Sequence, residues 1–243
     1  MNNYLSKSIG SIVADDFRTA TIFNKYKIDF CCNGHKNFGE VCEAKKIDID
    51  ALTNELDSVM NSTQKANVDF QSWPLDLLAD YIEKKHHRYI EQRSPEIKAY
   101  LDKLCKVHGN NHPELFKINE LFSEGAGELA QHMKKEELML FPKIKGLVKL
   151  VEKNDSEANK KPGSVSSIVQ AMIAEHENEG VRFKQIAELT DNYSVPADGC
   201  STYNVTFSLL KEFEEDLYMH IHLENNILFP GTIELEKKVN QAV

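Results

Sequence analysis

Apolar positions recur with helical spacing along most of the chain. In the C-terminal two thirds, they repeat every three or four residues over four stretches, near residues 74 to 107, 111 to 151, 164 to 190 and 198 to 227 or beyond. This is the spacing of one buried helical face. Pro95 is expected to kink the first helix, and Pro142 and Pro230 to break or kink theirs. Strand-type alternation is nearly absent, so the pattern predicts an all-α protein.

A shorter N-terminal region with the same helical spacing precedes these four stretches. Two helical patterns, near residues 12 to 23 and 52 to 60, flank a turn-like segment at 29 to 35, and Asp48 or Asp50 is suited to cap the second helix. Residues 61 to 67 are polar and lack apolar periodicity. We therefore expect a small helical domain over residues 1–60, a linker over 61–73 and an up-and-down four-helix bundle over 74–243.

One motif occurs twice in the predicted bundle. Residues 132–142 and 220–230 both read His-x-x-x-Glu-x-x-x-Leu-Phe-Pro. Residues four apart share a helical face, so each histidine lies one turn from its glutamate. His87 lies 45 residues before His132, and His176 lies 44 before His220. Two such hairpins predict a bundle with approximate twofold symmetry, in which four histidines and two glutamates converge.

These polar residues occupy positions where a core residue is expected. In the last helix, Phe213, Leu217, His220, Glu224 and Ile227 step by four, three, four and three. A buried carboxylate beside histidines is costly unless something neutralises it, and a coordinated metal ion does so. Imidazole and carboxylate suit iron, manganese or zinc. The motif therefore predicts a two-metal site in which both glutamates are able to bridge.

The first ligand is ambiguous from periodicity alone. His86 and His87 are adjacent. Apolar residues before the pair share a face with His86, whereas those after it share a face with His87. The pattern leaves both open.

Charge and cysteine content narrow the function classes. The 243-residue chain carries a net charge of −9, which argues against nucleic acid and anionic membranes as partners. No apolar run reaches the ~20 residues of a membrane span, and no apolar segment follows the N-terminus as in a signal peptide. Five cysteines fit no disulfide framework. A cytoplasmic protein is expected.

Three features together resemble a known family, the di-iron iron-sulfur cluster repair proteins with a hemerythrin-like bundle. They are the repeated motif, the sequence Asp-Phe-Cys-Cys-Asn-Gly at 29–34 and the run Val-His-Gly-Asn-Asn-His-Pro-Glu-Leu at 107–115. The resemblance implies two iron ions with oxo and carboxylate bridges, and it favours His87 over His86, although Lys-His-His-Arg at 85–88 departs from the family's motif. The implied ligands are His87, His132, Glu136, His176, His220 and Glu224.

The resemblance also implies a function. It indicates repair of clusters damaged by oxidative or nitrosative stress, through iron donation, nitric oxide reduction or both. Iron-sulfur proteins would be the clients, nitric oxide or oxygen species the small ligands, and a homodimer the assembly. The alternative is a non-catalytic hemerythrin-like protein that binds or senses dioxygen or nitric oxide.

The other cysteines and histidines divide into one functional pair and several structural residues. The resemblance implies that Cys31 and Cys32 are the functional pair of the N-terminal domain, with a thiol transfer role. Backbone N–H groups of their turn are expected to lower a thiolate pKa. The rest are interpreted as core, structural or surface residues, namely Cys42, Cys105, Cys200, His108, His112 and His222.

Overall fold

The computed structural model describes residues 4–62, 68–153 and 164–241. Within these ranges the chain is helical and has no strand, apart from one isolated antiparallel bridge between Ser8 and Asn37. The all-α prediction is confirmed. Part of the predicted linker, and residues 154–163 between the second and third predicted helices of the bundle, lie outside the described residues.

Four short helices form the N-terminal region: α1 (Ile9–Asp15), α2 (Ala20–Lys25), α3 (Phe38–Lys45) and α4 (Ile49–Met60). At the start of three of these helices, a side-chain oxygen accepts hydrogen bonds from backbone N–H groups. Ser8 caps α1, Asn37 caps α3, and Asp48 caps α4 by accepting from Asp50 and Ala51 at 3.0 and 3.1 Å. Of the two candidate caps of α4, the structure therefore uses Asp48.

Seven further helical segments come next along the chain. They are α5 (Leu75–Tyr81), α6 (Arg88–His108), α7 (Glu114–Lys135), α8 (Phe141–Lys153), α9 (Ser166–Leu189), α10 (Ser201–Leu223) and α11 (Phe229–Gln241). Helix α6 passes through Pro95 without interruption, and the Ser94 hydroxyl donates to the Ile90 carbonyl at 2.7 Å. No helix in the described ranges is long and apolar enough to cross a membrane.

Three π-helical turns join these segments end to end. Ile82–His87 joins α5 to α6, Glu136–Leu140 joins α7 to α8, and Glu224–Leu228 joins α10 to α11. The prolines expected to interrupt the last two runs therefore end neither helix. A proline ring clashes with the carbonyl four residues earlier, and a π turn shifts the hydrogen-bond register by one residue just before each proline.

The chain forms two compact units. The first unit contains Met1–Leu78, Leu147–Asn159 and Ile221–Val243, and the second contains Ala79–Gly146 and Lys160–His220. The first unit has a core of fully buried side chains that includes Ile9, Phe23, Phe38, Leu52 and Leu56.

The core of the second unit is aromatic at its centre. The ring of Phe213 lies 5.3 Å from that of Phe122 and 5.5 Å from that of Phe183, measured between centroids. Helix α7 packs against both α6 and α9. This packing fixes the helices that carry the candidate ligands of the second unit.

Candidate metal centre

Five of the six predicted ligands meet inside the second unit. His87, His132, Glu136, His176 and His220 are at most 3% exposed. A Glu136 oxygen lies 3.4 Å from Nε2 of His87 and 3.3 Å from Nε2 of His132. The Nε2 atoms of His132 and His176 are 3.0 Å apart. Four helical segments thus bring imidazole nitrogens and one carboxylate into a single buried cluster.

The cluster consists of two overlapping groups of ligand-type atoms. Atoms of His87, Glu136 and His220 all lie within 4.8 Å of one another, and so do atoms of His132, Glu136 and His176. Glu136 belongs to both groups. Two histidines with a shared carboxylate are a donor set that fits each of two ions such as iron.

Glu224 lies one helical turn beyond His220 on the same run of helix and is fully buried. It is the first residue of its π turn, as Glu136 is of the corresponding turn. The two glutamates therefore occupy equivalent positions in the repeated motif.

His86 and His87 have different surroundings, although both are buried. Nε2 of His87 faces Glu136, whereas Nδ1 of His86 lies 3.1 Å from a carboxylate oxygen of Asp216. The π turn that ends at His87 changes the angular position of these two residues from that of a regular helix. The ring of His86 also stacks on that of His220, with centroids 6.0 Å apart, but of the two histidines it is His87 whose Nε2 faces Glu136.

Two glutamates outside the cluster orient its histidines. Nδ1 of His87 is 3.0 Å from an oxygen of Glu137, and Nδ1 of His132 is 2.8 Å from an oxygen of Glu175. The His132 contact lowers the pKa of Glu175 to about 2. An ionised carboxylate accepts a hydrogen bond from Nδ1–H. The ring proton then stays on Nδ1, which leaves the Nε2 lone pair available to a metal ion.

Sequence reasoning missed Glu137 and Glu175 as orienting residues. A signal was present, because each is an acidic residue directly beside a predicted ligand. Their partners, however, lie 50 and 43 residues away along the chain, so only the folded structure pairs them.

A cavity of about 180 Å³ reaches the cluster from the surface of the second unit. Its lining includes two candidate ligands, His132 and His176, and three carboxylates, Glu128, Glu175 and Glu179. Burial raises the pKa of Glu179 to about 7 despite the guanidinium of Arg182 at 3.2 Å. Lys135 lines the cavity as well and pairs with Glu175, so the opening next to half of the histidines carries three carboxyl groups and one ammonium group.

Cys31 and Cys32 lie in the first unit, buried and with their sulfurs 3.7 Å apart. The expectation of a lowered thiolate pKa is wrong for Cys31. Its pKa is raised well above the usual value by the neighbouring Cys32 thiol and by burial. The backbone N–H groups of Cys31 and Cys32 donate to the Asp29 carboxylate, at 3.1 and 2.9 Å. A negative charge beside Cys31 opposes its ionisation.

The remaining cysteines and histidines fall into several environments. Cys42 and Cys105 are buried, as expected, but Cys200 is exposed, and Nε2 of His108 lies 3.2 Å from its sulfur. His222 is buried and pairs with Asn226 at 3.0 Å. Burial lowers the pKa of His222 to about 3.

Comparison with known proteins gives two family matches. Residues 78–231 match the model of the hemerythrin HHE cation binding domain. Residues 5–60 match the ScdA_N model, described as a domain of unknown function.

Relatives match along nearly the whole chain. An iron-sulfur cluster repair protein ScdA of Staphylococcus haemolyticus is 30% identical over 91% of this chain and 95% of the relative. An iron-sulfur cluster repair protein YtfE of Yersinia pseudotuberculosis is 31% identical over 96% of this chain and the whole of the relative. The chain therefore belongs to the hemerythrin HHE family and, within it, to the ScdA/YtfE family of iron-sulfur cluster repair proteins.

Proposed function

We propose that this chain repairs iron-sulfur clusters damaged by oxidative or nitrosative stress, acting through two bound iron ions. The observation that carries the proposal is the pair of buried histidine groups that share Glu136. A carboxylate shared by two such groups is the arrangement that bundle proteins use for di-iron centres. The names of the relatives support the choice of repair as the biological role.

The proposed ligands divide evenly between the two ions. One ion would be bound by His87 and His220, the other by His132 and His176, with Glu136 bridging them. Glu224 would be the second bridge, since it occupies in its motif the position that Glu136 occupies in the other. Six side chains leave some octahedral positions of two iron ions open.

The protein's own residues prepare this centre. When bound, the iron pair supplies redox chemistry and exchangeable coordination positions for small molecules such as nitric oxide or oxygen species. Glu137 and Glu175 hold His87 and His132 in the tautomer that presents Nε2. Burial of Glu136 and of the four histidines keeps bulk water away from the charged ligands. These features support a reactive centre.

The acidic cavity supports iron donation as one mechanism. A cation that leaves His132 and His176 through the cavity meets the carboxylates of Glu128, Glu175 and Glu179. Charged walls of opposite sign lower the free energy of an ion along such a path. The same opening would admit nitric oxide, so nitric oxide reduction is the second mechanism.

Cys31 and Cys32 are proposed to assist the transfer. Two neighbouring thiols that are oxidised to a disulfide release two electrons and two protons, and their sulfurs lie 3.7 Å apart. Because the thiols are buried, the segment that carries them must open first. We expect a variant with Cys31→Ala and Cys32→Ala to keep its iron and lose repair. Full repair by this variant would remove both cysteines from the mechanism.

The experiment combines metal analysis with a repair assay. The anaerobic protein is mixed with an iron-sulfur client whose cluster has been damaged by nitric oxide, and iron in both proteins is followed over time. Under iron donation, the client regains its cluster while this chain loses iron. Under nitric oxide reduction, nitric oxide and an electron donor are consumed while this chain keeps its iron.

Two other outcomes would count against repair. Reversible binding of nitric oxide or dioxygen, with neither turnover nor iron transfer, would favour the hemerythrin-like binder or sensor. Absence of bound iron after growth with iron would refute the di-iron centre itself. We further propose a cytoplasmic homodimer, which sedimentation of the purified protein and cell fractionation would test.

A further inference from the structure

A second group of titratable side chains lies in the second unit, away from the candidate ligands. His108 is the last residue of α6, and His87 directly precedes that helix. His108 therefore lies 21 positions beyond His87, which is about 30 Å of helix. Near His108 lies Cys200, just before α10. None of the roles proposed above uses this group.

Cys200 and His108 form a close pair. Nε2 of His108 lies 3.2 Å from the sulfur of Cys200. Cys200 is exposed, whereas Cys31, Cys32, Cys42 and Cys105 are buried. The Cys200 carbonyl accepts the N–H of Asn204 at 3.1 Å, so Cys200 is the capping residue of a 23-residue helix. The sulfur therefore has both an imidazole partner and free access from solvent.

Several charged or titratable groups lie around the pair. The ring of Tyr203 packs against His108 and His112 with centroids 5.4 and 5.7 Å away. His112 contacts the carboxylates of Glu114 at 3.1 Å and Asp198 at 3.0 Å. Lys103 donates to the Thr202 hydroxyl at 3.3 Å. His112 thus contacts both of these carboxylates, and Lys103 brings positive charge to the start of α10.

We propose that Cys200 and His108 form a reactive thiol–imidazole pair, at which the protein is modified by exchange with a low-molecular-weight disulfide. The Cys200 sulfur attacks one sulfur of the disulfide, whose S–S bond breaks. A new S–S bond joins Cys200 to half of the reagent. The other half leaves as a thiolate and takes, by way of His108, the proton that the Cys200 thiol gave up. The disulfide reagent is itself the oxidant: the Cys200 sulfur is oxidised as the departing half is reduced to a thiol.

The environment favours ionisation of this one thiol. The hydrogen bond with His108, together with the backbone N–H groups of Tyr203 and Thr202, lowers the pKa of Cys200 to about 7. At pH 7 this raises the thiolate fraction about sixteen-fold over an ordinary thiol, while the lower basicity reduces nucleophilicity by about five-fold. A net gain of about three-fold in the exchange rate is expected.

The test measures the reaction of the reduced, full-length protein with oxidised glutathione at a series of pH values. Mass spectrometry of the intact chain and of its peptides locates the modified cysteine and gives its rate. We expect the first glutathione at Cys200, with a rate midpoint near pH 7. A midpoint near the usual thiol pKa, or a first modification at another cysteine, overturns the proposal.

Two variants separate the imidazole from its surroundings. His108→Gln is expected to slow the reaction at pH 7 about three-fold and to move the midpoint towards that of an ordinary thiol. His112→Gln removes the other imidazole that packs on Tyr203 and is expected to move the midpoint much less. Equal effects of both variants would overturn the pairing with His108. If circular dichroism shows that His108→Gln misfolds, the pH profile of the unmodified chain decides alone.

Discussion

The two copies of the His-x-x-x-Glu motif differ in the residue directly after the glutamate. After Glu136 comes Glu137, which contacts His87 in the second unit. After Glu224 comes Asn225, whose amide donates to the Cys31 carbonyl at 3.3 Å in the first unit. One π turn thus supports a metal ligand, and the other holds the cysteine segment.

The next position differs as strongly. Leu138 is 74% exposed. Its counterpart Asn226 donates to the Phe30 carbonyl at 3.3 Å and lies where a Cβ at Gly10 or Gly34 would overlap its side chain. The repeated residues therefore account for the symmetry of the proposed centre, whereas the residues beside them give each turn a second, separate task.

The largest expected effect comes from the glutamates that both copies share. Glu136→Ala or Glu224→Ala removes a bridging carboxylate, and we expect either variant to lose most of its iron, with affinity reduced more than about 100-fold. Elemental analysis of the purified proteins measures this. Glu177→Ala, at an exposed position next to His176, is the control and should keep its iron. Two irons retained in both variants would refute the ligand assignment.

Exchanging the residues two positions after the repeated glutamates tests the difference between the two copies directly. Asn226→Leu removes one hydrogen-bond donor to the Phe30 carbonyl and crowds Gly10 and Gly34, so we expect about 2–4 kcal/mol of destabilisation. Leu138→Asn, the reverse change on an exposed site, should stay within about 0.5 kcal/mol. Denaturant unfolding monitored by the fluorescence of Trp73, the one tryptophan, measures both. Equal stability of the two variants would contradict the docking role of Asn226.

The residue directly after each repeated glutamate has a different role in the two copies, support of a metal ligand in one and contact with the cysteine segment in the other. Glu137→Gln removes the charge that holds Nδ1–H of His87, so we expect iron affinity to fall about 10- to 100-fold. Asn225→Ala, the matched change in the other copy, should alter iron affinity by less than about threefold. Competition with a chromophoric chelator measures both. An unchanged affinity in Glu137→Gln would show that Glu137 does not orient His87.

The smallest effect is expected at the surface partner of Glu137. Lys134 contacts Glu137 at 2.6 Å but is half exposed. Such pairs contribute about 0–1 kcal/mol, so Lys134→Met should change iron affinity by less than about fivefold in the same chelator assay. A loss as large as that of Glu137→Gln would mean that the lysine, and not the carboxylate, controls His87.

The candidate ligands show how much of the metal centre the helical spacing of the sequence could predict. The spacing of His87, His132, His176 and His220 was enough to predict that they meet, because a helix of regular period sets which residues share a face. It was not enough to choose between His86 and His87. That choice depends on a π turn, which shifts angular positions by a fraction of a turn. Periodicity analysis assumes a regular helix and therefore has no access to it.

The sequence by itself determined the all-α class, the repeated motif and the polarity of the predicted centre, because these depend on local spacing and on the cost of burying charge. Only the tertiary structure decided which side chains pair across distant segments: Glu137 with His87, Asn225 with Cys31, and His108 with Cys200. The same is true of the pKa of Cys200, which a histidine 92 residues away lowers. The pKa of Cys31 is raised by the adjacent Cys32 thiol and by burial, and of these two causes only burial depends on the fold. Ionisation depends on neighbours in space, which the order of residues does not reveal.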